Sequence, residues 1–119
     1  MSKGYWVGCY RSISNNDALS NYAKLAGPAI IENGGRFLAR GGKVETFEHG
    51  LNERTVLIEF ESVAAAVSAY NSEQYQEALQ ALADGAERDI RIVEGVYLLS
   101  NSYGCSTVRR TENFKGFIS

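Results

Sequence analysis

Arg40 stands beside Gly41-Gly42, Glu59 closes an otherwise apolar run, and His49 is the sole histidine of the chain. Residues of these types carry charge stabilisation and proton transfer. A guanidinium orients a carboxylate or an enolate through paired hydrogen bonds, a desolvated carboxyl serves as a general base, and an imidazole titrates near neutrality. Tyr22, Tyr70, Asn71 and Tyr75 add hydrogen-bonding groups, and several phenols around one cavity suit an aromatic or polyketide-like ligand. Each of these residues also has a plainer reading. Arg40 can snorkel at a strand end or pair with Glu45, Glu59 or Glu94; Glu59 and Glu94 can be strand-end carboxylates in water; His49 can be solvated in its polar loop. The tyrosines can be core, and Asn71-Ser72 can simply stop one helix and cap the next.

Other chemistries find no support. His49 has no second ligand at HxxxH spacing and there is no CxxC, so neither a metal nor a bound cofactor is expected, with haem on His49 as a remote alternative. Cys9 and Cys105 read as buried or inert thiols. Gly34-Gly35 and Gly41-Gly42 read as turns, since no phosphate-cradling GxGxxG or GxxxxGK[ST] pattern follows a strand. A formal charge of −2 leaves no field for nucleic acid or an anionic membrane, although the distribution is uneven. Residues 1–97 carry nine basic side chains against thirteen acidic ones, and residues 98–119 carry three against one. With no apolar run near the roughly 18 to 20 residues that span a bilayer, and no leader pattern at the start, a cytoplasmic protein is expected.

The elements that must position these residues follow from periodicity. Tyr5 to Tyr10 form a strand apolar on both faces, and Ser14 with Asp17 has capping-box spacing ahead of a helix carrying Leu19, Tyr22, Ala23, Ala26, Ala29 and Ile30. Pro28 either kinks that helix or starts a second one, and Asn33-Gly34-Gly35 closes it. A strand from Arg36 to Arg40 puts both arginines on one face with Leu38, and Val44 to Phe47 reads as its bent continuation or a further short strand. Thr55 to Phe60 is a central strand with Val56, Ile58 and Phe60 on one face and Glu59 on the other. Ser62 and Ser72 cap two helical segments, and Ile90 to Tyr97 is the last strand. The order β-α-β-β-α-β predicts an α+β ferredoxin-like sandwich, a four-stranded antiparallel sheet with its helices on one face. Because the other face is apolar as well, a second copy packed sheet against sheet is the expected partner.

Lys3-Gly4-Tyr5-Trp6, Tyr22, the stretch Gly34 to Gly42, Val56 to Phe60, Tyr70-Asn71-Ser72 with Tyr75, and Val93-Glu94-Gly95 occur in an order and spacing that resemble an uncharacterised family of the dimeric α/β-barrel superfamily. The resemblance implies a domain over residues 3–97, a homodimer closed by the two sheets, and a cavity between sheet and helices. It carries no reaction, since the superfamily hosts cofactor-independent monooxygenases, cyclases, isomerases and haem enzymes. Two functions are therefore expected. One is a cofactor-independent enzyme or binder of a small organic ligand, with Arg40, Glu59 and His49 in catalytic roles and Tyr22, Tyr70, Asn71 and Tyr75 in binding. The other is a non-catalytic assembly module. Residues 98–119 extend past the family pattern and, being rich in apolar side chains, are expected to pack either on the partner protomer or on a neighbouring dimer, the latter giving a higher oligomer.

Overall fold

The computed structural model describes residues 2–97, and the expectations for Cys105 and for packing of residues 98–119 lie outside that range. Four strands and three helices follow in the order β1 (Gly4–Ile13), α1 (Asn16–Glu32), β2 (Arg36–Arg40), β3 (Thr55–Phe60), α2 (Val63–Tyr70), α3 (Glu73–Leu82) and β4 (Ala86–Glu94). The strands form one antiparallel sheet in the order β2-β3-β1-β4, the ferredoxin-like arrangement, with the helical segment between β3 and β4 broken into two.

Local chemistry sets most boundaries. Asn15 rather than Ser14 caps α1, its side chain accepting from the Ala18 amide at 3.0 Å, because the Ser14 hydroxyl is donated to the Gly85 carbonyl at 3.2 Å. Pro28 lies inside one continuous α1, on its exposed side. Ser62 and Ser72 cap α2 and α3 as the sequence predicts, and Asn71 is the C-cap between them. Two expectations are corrected. Residues 44–47 form no strand, since β2 is an edge strand and this segment is mostly exposed and finds no neighbour in the sheet. The last strand begins at Ala86, not Ile90, pairing with β1 as far as Ile13.

Sheet and helices meet in one aromatic core. Trp6, in the central strand β1, is 2% exposed and packs on Phe60, Tyr70 and Tyr75, the last edge-on at 5.0 Å between ring centres. Alternation turns Trp6, Gly8 and Tyr10 of β1, Val56, Ile58 and Phe60 of β3, and Arg88, Ile90 and Ile92 of β4 toward the helices. The opposite face presents Tyr5, Val7, Leu57 and the exposed Leu38 and Val93, together with Cys9, which is exposed rather than buried in the protomer.

Arg36 and Arg40 do not share a face. A bulge between Phe37 and Ala39 inserts Leu38 as an extra residue, so Arg36 pairs opposite Glu59 and Arg40 opposite Val56. The two-residue alternation is thereby reset in mid-strand, and Arg40 alone turns toward the helices.

Candidate functional site

The side chains turned toward α1 line a pocket whose enclosed space is about 20 Å³, within about 370 Å³ of unfilled space that includes open solvent. Arg40 from β2, Arg54 just ahead of β3, Tyr10 from β1 and Arg88 from β4 contribute one residue from each strand position across the sheet. Register places them in a band: Arg40 faces Val56, Tyr10 faces Arg88, and the Tyr10 amide donates to the Arg54 carbonyl at 3.0 Å. Tyr22, Ala26 and Ile30 of α1 form the opposite wall, and Trp6, Phe37, Ile58 and Ile90 make the rest apolar.

Three guanidiniums therefore share a largely apolar pocket. Among the described residues none of them forms an ion pair, although Arg36, Arg11 and Arg91 outside the pocket each have a carboxylate partner. Arg88 is held by phenols, donating to the Tyr22 hydroxyl at 3.0 Å and to the Tyr75 hydroxyl at 3.4 Å. Arg40 donates to the Ala23 carbonyl at 3.3 Å, and its guanidinium lies 4.3 Å from the centre of the Phe37 ring. Arg54 Nε is buried without any partner. Arg54 and Arg88 are half-buried and Arg40 is exposed, so water solvates part of this charge and an anion would neutralise the rest.

Two glycines make room for two of these side chains. A Cβ on Gly27, in the middle of α1, would stand 2.9 Å from Arg40 Nη2, and one on Gly41 would collide with the Arg54 guanidinium. Gly41 also has φ +74, a left-handed conformation that glycine adopts without strain.

Behind the arginines, the Tyr22 and Tyr75 hydroxyls lie 2.7 Å apart. Burial pushes both phenols above the usual tyrosine range, so both are neutral O–H groups in the folded protein. Arg88 donates to both oxygens and one hydroxyl proton is used between them, which leaves the other to donate elsewhere. With Tyr75 donating to Tyr22, that free O–H is the one lining the pocket.

Of the residues singled out from sequence, Arg40 and Tyr22 line this pocket, and Tyr75 sits one hydrogen bond behind it. Tyr70 is partly buried and packs at a tilt against Trp6 and Tyr75, and Asn71 is an exposed helix cap. His49 is exposed in the loop between β2 and β3 and does not line the pocket. Glu59 is a correction: its face of β3 turns away from the helices. There it accepts from Arg36 at 2.6 Å and from the Tyr5 hydroxyl at 3.1 Å, and the Arg36 hydrogen bond holds its carboxyl below the ordinary glutamate range, opposite to a poised base. Arg54 and Arg88 were missed. A parity signal existed, because Arg54 precedes Val56, Ile58 and Phe60 at alternate positions and Arg88 precedes Ile90 and Ile92 in the same way.

The profile of a family described as a domain of unknown function (DUF1330) matches residues 3–96. Among curated proteins none matches. Among solved structures, a protein of unknown function from Rhodopseudomonas palustris superposes with a TM-score of 0.59 at 21% identity, over 78% of this chain and 80% of that one. SnoaB, a cofactor-independent oxygenase from Streptomyces nogalater, gives a TM-score of 0.54 at 12% identity over 85% of this chain and 100% of its own. A dimeric ferredoxin-like protein of unknown function from Thermobifida fusca gives 0.50 at 13% identity, over 81% and 92%. At such identities the likeness is one of fold.

Proposed function

We propose, from the premise that the chain belongs to the DUF1330 family, that it binds a small organic acid in the pocket between its sheet and α1. One observation carries this reading: three arginines converge there, and among the described residues no carboxylate balances them. Arg40, Arg54 and Arg88 would take the anionic group and the Tyr22 hydroxyl would add a neutral donor. The aromatic walls would hold an apolar body. Donors arranged in this way also suit an enolate or phenolate, the charge that forms when a bound acid loses a proton. Among the described residues the pocket lining includes no carboxylate or imidazole, so the arrangement supports anion binding and stabilisation. A homodimer formed through the outer sheet face completes the reading, supported by Tyr5, Val7, Leu57, Leu38 and Val93 on that face.

Thermal unfolding with benzoate and with neutral benzamide tests it. A ligand at a hundred times its Kd stabilises by about 2.7 kcal/mol, so benzoate should raise the melting temperature and benzamide should not. Equal shifts by the two, or none from benzoate, would remove the anion pocket and leave assembly through the outer face as the remaining function.

A further inference from the structure

The polar side chains around the enclosed space of the pocket are almost all hydrogen-bond donors. The guanidiniums of Arg54 and Arg88 and the indole of Trp6 can only donate, as can Arg40 nearer to solvent. The cations form one cluster, since the Arg54 guanidinium lies against Gly41, next to Arg40 in the chain, and shares the Tyr10 ring with Arg88. The Tyr22 oxygen accepts from Arg88 at 3.0 Å and from the Tyr75 hydroxyl at 2.7 Å, which leaves its own proton for the pocket. Among the lining side chains only the Tyr10 hydroxyl keeps a lone pair to offer.

A water molecule has two hydrogens to donate, and these side chains offer it one acceptor; a species that only accepts meets no such deficit. The enclosed space of about 20 Å³ is little more than the roughly 10 to 15 Å³ that a single water requires, so it suits a body about the size of one water and not a ring. Guanidinium is a weakly hydrated cation, matched to a weakly hydrated anion. We infer that this space is a halide site, which takes chloride on Arg54, Arg88 and the Tyr22 O–H. An organic acid entering the pocket displaces the halide with its carboxylate, so chloride competes with the acid. The inference shares its residues with the anion-binding reading, but halide binding needs no organic ligand.

Chlorine NMR on the full-length protein, prepared in sodium fluoride, tests it. The protein should broaden the chloride line saturably, and bromide or benzoate should restore the free-ion width, whereas further fluoride should not. In calorimetry at constant ionic strength, chloride at ten times its Kd should weaken benzoate binding roughly tenfold relative to fluoride. Arg54→Met and Gly8→Ala, each shown by circular dichroism to be folded, should weaken chloride binding about tenfold or more. Gly8→Ala alters no charge; its methyl enters the pocket lining and comes within 3.2 Å only of the movable end of Ile90. Lys24→Gln, which removes an exposed cation outside the lining, should change nothing. The halide site is overturned if no saturable broadening appears, if fluoride competes as well as bromide, or if both Arg54→Met and Gly8→Ala bind chloride unchanged. Benzoate binding that is insensitive to chloride overturns it too, while leaving the anion-binding reading in place. Chloride binding without any benzoate binding supports the halide site and removes the organic acid.

Discussion

Replacing Arg54 by methionine should make the ligand-free protein more stable and the binding site worse. The guanidinium carbons of Arg54 and Arg88 lie 5.8 and 5.6 Å from one ring centre, so their charges are at most about 11 Å apart, the sum of those distances. At an effective dielectric constant of about 20, that separation gives a repulsion of about 1.5 kcal/mol, part of which water at the mouth screens. The substitution also removes the buried, unpartnered Nε, a group whose desolvation costs about 1 to 3 kcal/mol. Against these gains stands the loss of the cation over Tyr10, about 0.5 to 1 kcal/mol, while methionine keeps most of the apolar stem in place. The net expectation is stabilisation of about 1 kcal/mol, or roughly 4 to 8 °C in melting temperature for a domain of this size. Benzoate affinity should fall roughly 10- to 100-fold, as expected for a lost charge-assisted hydrogen bond. Urea denaturation at one fixed protomer concentration, with calorimetry alongside, measures both quantities. If Arg54→Met instead loses more than about 1 kcal/mol and binds benzoate unchanged, the arginine is a structural strut and the reasoning is wrong.

Gly27→Ala should leave stability equal or raise it by up to about 1 kcal/mol through helix propensity, yet weaken benzoate binding, because the new methyl meets the movable end of Arg40. Calorimetry would refute this by finding unchanged affinity. Glu59 and Asp89 are held below their ordinary values of 4.5 and 3.8, chiefly by hydrogen bonds from Arg36 and Arg91, so their contribution to stability is present above those values and lost as pH falls through the lowered ones. The urea midpoint should therefore decline in acid below about pH 4.5, less so in Glu59→Gln, and a decline of the same size in both proteins would count against the pairing. Leu57→Lys, in the centre of the outer sheet face, should convert a dimer to monomer in sedimentation without disturbing the pocket; an unchanged sedimentation coefficient would place the interface elsewhere.

Periodicity was enough to read the order of elements, Ser62 and Ser72 as helix caps and the Asn71-Ser72 break, because these depend on neighbours within a turn or two of the chain. The pocket was harder. Arg40 and Tyr22 were legible because one stands just before a glycine pair and the other lies on an apolar helical stripe, but Arg54 and Arg88 come from distant segments that only strand pairing brings beside Tyr10. Their inward parity could be read, yet an arginine at a strand entrance ordinarily snorkels to water, so the convergence of three of them could not be inferred from any one of them. Glu59 misled for a related reason. Its parity was correctly separated from that of Ile58 and Phe60, but which of the two faces met the helices depended on the whole sheet.

The bulge in β2 is the local feature on which this division of charge depends. Under strict alternation Arg36, Leu38 and Arg40 would all face outward with Glu59, leaving two cations for one carboxylate on a surface otherwise suited to packing against another sheet. An arginine without a partner there would oppose burial of that face. Inserting Leu38 keeps Arg36 with Glu59 as a balanced pair and sends Arg40 through the sheet to the pocket. The outer face gains an exposed leucine and the inner face its third guanidinium. One extra residue thus serves both surfaces. Deleting Leu38 should therefore weaken binding of an organic acid and dimer formation together, whereas Arg40→Gln should affect binding alone.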